Sequence, residues 1–485
     1  MSSETGITID TPKLNRRSFL GLGVVAGAVS VGSILGIEPK EASAKTYDTI
    51  DDMYEIDNDN FDYYDGYRVA FQHRNAYMIP DWPVSPQESD DPLWAKAIQG
   101  DVVRAKEMGD PGWQPLDKAY YKGGAASEDL GNTSQVRGAG SYRNTLHMPA
   151  PDGRLVPMTQ FGQETASFIG AKKGSFDVAE ERYEFDSLEH ASYAVKKAAK
   201  KFGASLVGIA PYDERWVFKT EVVMPKDSEG KLMADQVNYE SPIGWTFEPK
   251  SVVVMGHEMD YEAMKTSGGQ AEVGATMMGY SNMMVISLRL ATFLRHLGYN
   301  TYHCGNNVSA SVAEAIRAGL GEGGRNSLCI SKEFGPRFRI SKVYTDCEFA
   351  YDKPQGFGVT EFCEVCQVCT DTCPSGAIRN NSIHDPESME AIGICGQKGV
   401  RKYQLDALKC HYQWMVMGQP GYNNDCGICI TVCPYNKPQT WNHDLVKVVT
   451  LIPGLNSLAR YFDHFFGFGH LATDQELVDF WRMPI

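Results

Sequence analysis

Apolar residues recur at helical spacing just beyond residue 186, and short β-branched runs follow them along the chain. Ser187 can cap the start of a helix and Gly203 can end it. The apolar positions between them are Leu188, Ala191, Val195 and Ala198. The apolar runs 205–210 and 251–255 predict two buried strands.

Two further helices are predicted after these strands. The methionine-rich segment 271–296 predicts a long helix that Gly298 stops, and 312–318 predicts a shorter one. Strands and helices alternate through residues 186–355, which is typical of an α/β or α+β sandwich. The fold class that we expect is α+β.

The flanking segments have different patterns. Residues 45–185 are rich in Tyr, Trp, Asp, Gly and Pro and show little periodicity, so we expect a loop-rich N-terminal unit. Residues 356–440 form a cysteine-rich module. The aromatic tail, 441–485, is expected to pack back onto the body.

The first 44 residues have the features of a targeting signal. Arg16 and Arg17 precede a weakly apolar run, 21–37, and small residues lead to a cleavage position after Ala44. The alternative is a membrane span, which needs about 20 strongly apolar residues and few glycines. We expect a twin-arginine signal peptide over 1–44, and hence a protein that folds and receives its cofactors before export.

Composition and charge narrow the class of protein. The chain has 485 residues, of which 42% are hydrophobic and 22% charged, so it can bury a sizeable core. Its formal net charge of −15 opposes binding to a phosphate backbone, and we expect no nucleic-acid partner.

Most of the cysteines are placed as metal ligands. None of the 12 precedes Cys304, and two groups are tightly spaced: Cys363-x2-Cys366-x2-Cys369-x3-Cys373-Pro374 and Cys426-x2-Cys429-x3-Cys433-Pro434. Three thiolates at this spacing wrap one iron–sulfur cubane, and the cysteine before proline binds the other cluster in two-cluster ferredoxins. A pair of four-cysteine zinc sites is the alternative.

The ferredoxin rule divides the ligands between two [4Fe–4S] clusters. The first set is Cys363, Cys366, Cys369 and Cys433. The second set is Cys373, Cys426, Cys429 and one further cysteine, for which Cys395 and Cys410 compete. The cysteines outside the motifs, Cys304, Cys329, Cys347 and the unused competitor, are expected to be buried thiols.

These motifs, the leader and the stretch Phe357-Gly358-Val359-Thr360-Glu361-Phe362-Cys363 together resemble the corrinoid-dependent reductive dehalogenases. Further similar stretches are 297–299, 318–322 and 334–336 leading to Arg339. At 345–349 the chain has Thr-Asp-Cys-Glu-Phe where the family commonly has an apolar, proline-containing stretch. The resemblance implies a nitroreductase-like, corrinoid-binding sandwich over 186–355, a bacterial-ferredoxin-like module over 356–440, and a pocket contribution from 45–185.

The resemblance also implies the cofactors and the reaction. A base-off cobamide is expected in the middle domain, in line with the lack of an Asp-x-His-x-x-Gly motif that would supply a lower histidine ligand. Removal of an axial donor favours Co(I), and cluster potentials as low as about −700 mV are available to produce it. The expected reaction replaces halogen by hydrogen in a small organohalide, with electrons arriving through two [4Fe–4S] clusters.

By similarity to this family, three residues are expected to take part in proton transfer to the substrate. Tyr280 is the expected donor, Arg339 the cation that stabilises its phenolate, and Asn306 a hydrogen-bonding neighbour, with Asn307 as the alternative alignment. Thr276 and Trp414 are expected at the cofactor pocket. The spacing of Trp414 from Cys410 resembles the family and favours Cys410 over Cys395 as the eighth ligand. Phe71, Trp94 and Tyr120 are candidate walls of the substrate pocket.

Partners and location follow from the same resemblance. We expect a peripheral protein on the outer face of the cytoplasmic membrane, a small membrane-integral anchor protein, an electron donor linked to the quinone pool, and a possible homodimer. Two other functions compete: a relative of epoxyqueuosine reductase, which shares clusters and corrinoid, and an exported iron–sulfur electron carrier without catalysis.

Overall fold

The computed structural model describes twelve stretches and two single residues of the chain. The described residues are 45–61, 147–149, 155–157, 178–223, 238–242, 245, 247–267, 269–306, 308–392, 396–407, 409–410, 413, 425–437 and 471–482. Within these stretches, no helix has the length and apolarity that a bilayer crossing requires.

Strands are present in both the N-terminal and the middle part of the described chain. They are β1 (Lys45–Thr46), β2 (His147–Pro149), β3 (Leu155–Pro157), β4 (Leu206–Pro211), β5 (Thr220–Val223), β6 (Asn238–Pro242), β7 (Ser251–Glu258), β8 (Thr301–Cys304), β9 (Glu322–Gly323), β10 (Cys329–Ile330), β11 (Phe338–Thr345) and β12 (Gln355–Gly356).

Helices cover the sheet and carry most of the cysteine motifs. They are α1 (Ile50–Met53), α2 (Leu188–Phe202), α3 (Tyr261–Lys265), α4 (Gln270–His296), α5 (Ser311–Arg317), α6 (Val359–Cys366), α7 (Val368–Thr372), α8 (Ile428–Thr431) and α9 (Asp474–Asp479). The chain is thus a mixture of helix and sheet, as predicted.

A four-stranded sheet lies at the centre, in the order β4-β7-β11-β8, with every pairing antiparallel. The predicted strands are present as β4 and β7. The longest pairing joins β11 to β7, from Phe338 opposite Glu258 to Thr345 opposite Ser251. Strand β11 was not predicted, because Arg339 and Lys342 interrupt its apolar pattern.

Helices α2 and α4 cover one face of this sheet. As predicted, α2 begins at Ser187, whose hydroxyl accepts the His190 N–H, and ends at Gly203, whose φ of 115° is left-handed. Helix α4 has 27 residues and is about 40 Å long. Its residues Ile286, Leu290 and Leu294 are buried in one cluster with residues of α2 and the sheet. Each such side chain contributes roughly 1.5–3 kcal/mol to folding.

The opposite face packs on α5 and on aromatic side chains. Val252 and Val254 of β7 are fully buried there, together with Ala315 and Ile316 of α5. A ring cluster lies at its edge, where Trp245 contacts Tyr344 at 5.1 Å and Tyr302 at 5.5 Å between ring centroids. The sheet is therefore covered on both faces.

The cysteine-bearing helices attach to this body through two small cores. Phe362 of α6 packs with Ile330 and Tyr435, and Ile430 of α8 packs with Met259 and Met264. In the tail, Phe480 contacts this second core. The second cysteine motif therefore lies against the N-terminal end of α4.

Candidate active site

Two hydrogen-bond donors converge on the hydroxyl of Tyr280 in helix α4. Arg339 Nη1 donates to the phenolic oxygen at 3.2 Å, and Asn306 Nδ2 donates to it at 3.3 Å. The Arg339 guanidinium also lies 4.5 Å from the centroid of the Tyr280 ring. The three residues expected to serve the proton, which are separated by up to 59 positions in sequence, are therefore brought together.

A glycine lets Arg339 approach the helix. Arg339 lies on central strand β11, opposite His257 of β7. A Cβ atom at Gly279 would lie 2.8 Å from Arg339 Cγ and 3.3 Å from Met259 Cγ. Any larger residue at Gly279 would therefore displace the arginine stem next to Tyr280.

Asp425 holds the other edge of the guanidinium. Its Oδ2 accepts from Arg339 Nη2 at 3.0 Å, and its Oδ1 accepts the backbone N–H of Cys426 at 2.8 Å. The aspartate is only 5% exposed, so this ion pair is largely removed from water. Arg339 is thereby fixed between the Tyr280 hydroxyl and the second cysteine motif.

Glu272 and Thr276 lie on the same helix as Tyr280, two turns and one turn before it, respectively. Thr276 Oγ1 donates to Glu272 Oε1 at 3.1 Å, and both residues are fully buried. Burial raises the pKa of Glu272 well above its ordinary value, and the negative charge of Asp425 raises it further. The acidic side of the site is therefore a buried carboxyl group for which the protonated form is favoured.

The first predicted set of thiols lines one cavity. Gly324, Arg325, Asn326 and Phe362 contribute to its walls, and the four cysteines that line it are Cys363, Cys366, Cys369 and Cys433. This is the set that the ferredoxin rule assigns to one cluster, including the exchanged cysteine before proline. The four thiols that line this one cavity are the donor set that a [4Fe–4S] cluster requires.

A break between two helices allows this arrangement. Cys363 and Cys366 lie on α6 and Cys369 lies on α7, while Gln367 between them has a left-handed φ of 54°. A continuous helix would place residues 363, 366 and 369 along one ridge instead of around a common centre. The turn at Gln367 changes that direction.

The second set of thiols lies around Cys429. Burial raises the pKa of the Cys429 thiol well above its ordinary value, and charge repulsion from Cys426, Cys410, Cys369 and Cys373 raises it further. Cys410, the preferred eighth ligand, therefore lies within electrostatic reach of this group. Because Cys369 belongs to the first set, the two sets adjoin.

No three Cys, His, Asp or Glu side chains of the described stretches are close enough together to hold a single metal ion. A zinc ion draws its thiolates to about 2.3 Å from one centre. A cubane instead spreads its four thiolates over four irons, so it accommodates thiols that are further apart.

Several predicted residues lie outside the described part of the chain. They are Phe71, Trp94, Tyr120, Asn307, Cys395, Trp414 and the whole of 1–44. The remaining non-ligand cysteines, Cys304, Cys329 and Cys347, are buried, as expected.

Sequence reasoning missed Asp425, Glu272 and Gly279. Asp425 directly precedes the second cysteine motif, and Glu272 lies one turn before Thr276. Their closeness in sequence to predicted site residues was the only signal that could have indicated them. Their roles depend on contacts with Arg339, 86 residues from Asp425, that no local pattern encodes.

Comparison with known proteins identifies the class. No family model matches the chain. It is 37% identical over 418 residues to tetrachloroethene reductive dehalogenase of Dehalobacter restrictus, covering 77% of this chain and 73% of that protein. It is 31% identical over 497 residues to tetrachloroethene reductive dehalogenase of Sulfurospirillum multivorans, covering 96% and 93%.

A solved reductive dehalogenase, described as B12-dependent, shares the fold. The TM-score is 0.57 at 17% identity, over 88% of this chain and 49% of that one, so the chain spans about half the length of the solved protein. The named relatives thus identify an oxidoreductase, and the shared fold is a mixture of helix and sheet. The chain belongs to the reductive dehalogenases, oxidoreductases that act on carbon–halogen bonds.

Proposed function

We propose that this chain is the catalytic subunit of a corrinoid-dependent reductive dehalogenase that replaces a halogen of a small organohalide with hydrogen. The reaction consumes two electrons and one proton and releases a halide ion. One observation carries the proposal: Arg339 and Asn306 both donate to the Tyr280 hydroxyl, beside the second thiol set.

Tyr280 is the proton donor in this proposal. Its hydroxyl oxygen already accepts from two N–H groups, so its own proton is directed away from Arg339 and Asn306. After the proton leaves, the same two donors and the positive charge of Arg339 stabilise the phenolate. Asp425 keeps the guanidinium in place during this change of charge.

Eight thiols would hold two [4Fe–4S] clusters. The first set is Cys363, Cys366, Cys369 and Cys433, and the second is Cys373, Cys410, Cys426 and Cys429. The second lies nearer to Tyr280, because Asp425 joins the backbone of Cys426 to Arg339. Electrons are proposed to enter at the first set and leave from the second.

A corrinoid is proposed to bind beside Tyr280, where it would supply the reduced cobalt that cleaves the carbon–halogen bond. Two buried polar atoms are available to an amide-rich ligand: Trp216 Nε1 and Ser309 Oγ have no hydrogen-bond partner among the described residues. The two segments adjoin, because Val217, next to Trp216, forms an antiparallel β-bridge with Ser309. Ser309 lies three residues after Asn306. Thr276 and Trp414 remain the residues proposed to contact the cofactor.

Location and partners complete the proposal. The twin-arginine leader supports export to the outer face of the cytoplasmic membrane, where a small membrane-integral anchor and a quinone-linked donor would serve the enzyme. The relatives named above are tetrachloroethene reductive dehalogenases, so chlorinated ethenes are the first substrates to test.

The test is anaerobic turnover of chlorinated ethenes, alkanes and phenols by the reconstituted chain with a strong artificial reductant. We expect dehalogenated product, about eight irons per chain for the two cubanes and one cobalt. A preparation with both clusters, no affinity for any cobamide and no product would contradict the proposal and leave an iron–sulfur electron carrier.

A further inference from the structure

Arg325 is an arginine buried in the interior beside the first thiol set. It is 2% exposed and lies on the loop between β9 and β10. Its Nε donates to the Cys363 carbonyl at 2.8 Å, and its Nη1 donates to the carbonyls of Arg379 and Asn381 at 3.0 and 2.8 Å. The guanidinium also lies 4.4 Å from the centroid of the Tyr403 ring. Its partners are thus neutral groups.

The remaining nitrogen of this guanidinium has no hydrogen-bond partner in the described part of the chain. Nη2 is buried without a hydrogen bond among the described residues, and Arg325 lines the cavity whose walls carry the four thiols. Glu364, a carboxylate within electrostatic reach of Arg325, accepts instead from the Tyr403 hydroxyl at 2.5 Å and the Ile383 N–H at 2.7 Å. A buried cation with an unused N–H therefore borders the proposed cluster site.

The second thiol set has different surroundings. The charge next to Cys426 is that of Asp425, a buried carboxylate that accepts the Cys426 N–H at 2.8 Å and is already paired with Arg339 at 3.0 Å. At the first set, Arg325 donates to the Cys363 carbonyl at 2.8 Å and lines the same cavity as the four thiols, so its positive charge borders the proposed cluster. Reduction adds one negative charge to a cluster, so nearby cations favour it and nearby carboxylates oppose it.

We propose that Arg325 raises the reduction potential of the cluster held by the first thiol set above that of the cluster beside Tyr280. The inference rests on the proposed function, because it requires both clusters. It adds an order to the two sites: the first cluster accepts an electron readily and holds it next to the cluster that serves the reaction. Arg325 acts here through its charge and its N–H on a cluster, as a potential-setting residue.

The experiment compares Arg325→Gln with Arg325→Lys in the full chain, reconstituted anaerobically. Reduction of each cluster is followed by electron paramagnetic resonance during a redox titration, and Cys366→Ser identifies the signal of the first cluster. Arg325→Gln should lower the reduction equilibrium constant of the first cluster at least tenfold, about 59 mV for one electron. The second cluster should not change. Arg325→Lys should retain most of the wild-type potential, because it keeps the charge.

The lysine variant separates charge from structure. Both variants lose the three hydrogen bonds to carbonyl groups, so a purely structural role predicts equal effects of Gln and Lys. Arg317→Gln is the control, since this buried arginine pairs with Glu314 at 2.6 Å on α5. It should leave both potentials unchanged.

Two results would overturn the inference. One is an Arg325→Gln chain with about eight irons and unchanged potentials. The other is an Arg325→Lys chain in which the reduction potential of the first cluster falls by about 59 mV, the shift expected for Arg325→Gln. This second result decides the question if Arg325→Gln loses its first cluster. A wild-type chain that shows neither cluster signal would instead contradict the proposed function itself.

Discussion

Arg339 and Asp425 form a largely buried ion pair, 3.0 Å between Nη2 and Oδ2, that joins the central sheet to the second cysteine motif. Arg339 also donates to Tyr280, and Asp425 also accepts the N–H of Cys426. A continuous path of hydrogen bonds therefore runs from the phenol to the backbone of a proposed cluster ligand. The proposed proton donor and the second thiol set are therefore mechanically linked.

Asp425→Asn should lower turnover by about ten- to a hundredfold. The change removes a charge-assisted hydrogen bond, worth roughly 1.5–3 kcal/mol, and each 1.36 kcal/mol on the barrier is a factor of ten. Turnover is measured alongside the iron content, which should stay near wild type. Glu258→Gln is the matched control, because Glu258 pairs at 2.8 Å with Arg337, whereas Asp425 pairs with Arg339. Equal turnover of Asp425→Asn and wild type would show that the ion pair does not position Arg339.

Tyr280→Phe should retain both clusters and the corrinoid yet lose nearly all turnover. Phenylalanine preserves the ring that packs against Arg339 and removes only the hydroxyl that both donors contact. Product formation is measured together with iron and cobalt content. Tyr299→Phe is the control, since the Tyr299 hydroxyl donates to the Tyr183 carbonyl elsewhere in the fold. A Tyr280→Phe chain with wild-type activity would remove Tyr280 from the donor role.

Cys410→Ala should lose about half of the iron, whereas Cys395→Ala should keep all of it. Cys410 lies within electrostatic reach of Cys426 and Cys429, and a cubane that lacks one of four thiolates is held less tightly. Iron per chain and the two resonance signals are the measurements. The reverse pattern, with iron lost only from Cys395→Ala, would exchange the two residues in the ligand set.

The elements predicted from the sequence are those with a helix cap or an apolar run of their own. Helix α2 has a capping serine and a terminal glycine, and β4 and β7 are apolar runs, so all three are observed where expected. Strand β11 was missed, because its buried Lys342 is satisfied by Ser309 and Ser311 from another part of the chain.

The candidate site shows the same division. The cysteine spacing predicted the first thiol set, which lines one cavity, because iron ligation imposes a fixed local pattern. Tyr280, Arg339 and Asn306 could be named only by resemblance. Asp425 and Arg325 could not be found at all, since their roles come from partners 86 and 38 residues away.

His257 should make the fold sensitive to acid. Burial lowers the pKa of His257 to about 3, while its Nε2 lies 2.7 Å from Ser341 Oγ. In the unfolded chain His257 binds a proton with its ordinary pKa near 6.5, whereas in the folded chain it stays neutral down to about pH 3. The free energy of unfolding is therefore at its full value above pH 6.5 and decreases as the pH falls toward 3. At pH 5 the loss should reach about 2 kcal/mol.

His257→Gln should remove this loss of stability. Denaturant unfolding at pH 7 and pH 5 measures the difference in the free energy of unfolding. The exposed His296 provides the control as His296→Gln, which should retain the wild-type dependence. An equally steep loss in His257→Gln would assign the acid sensitivity to other groups.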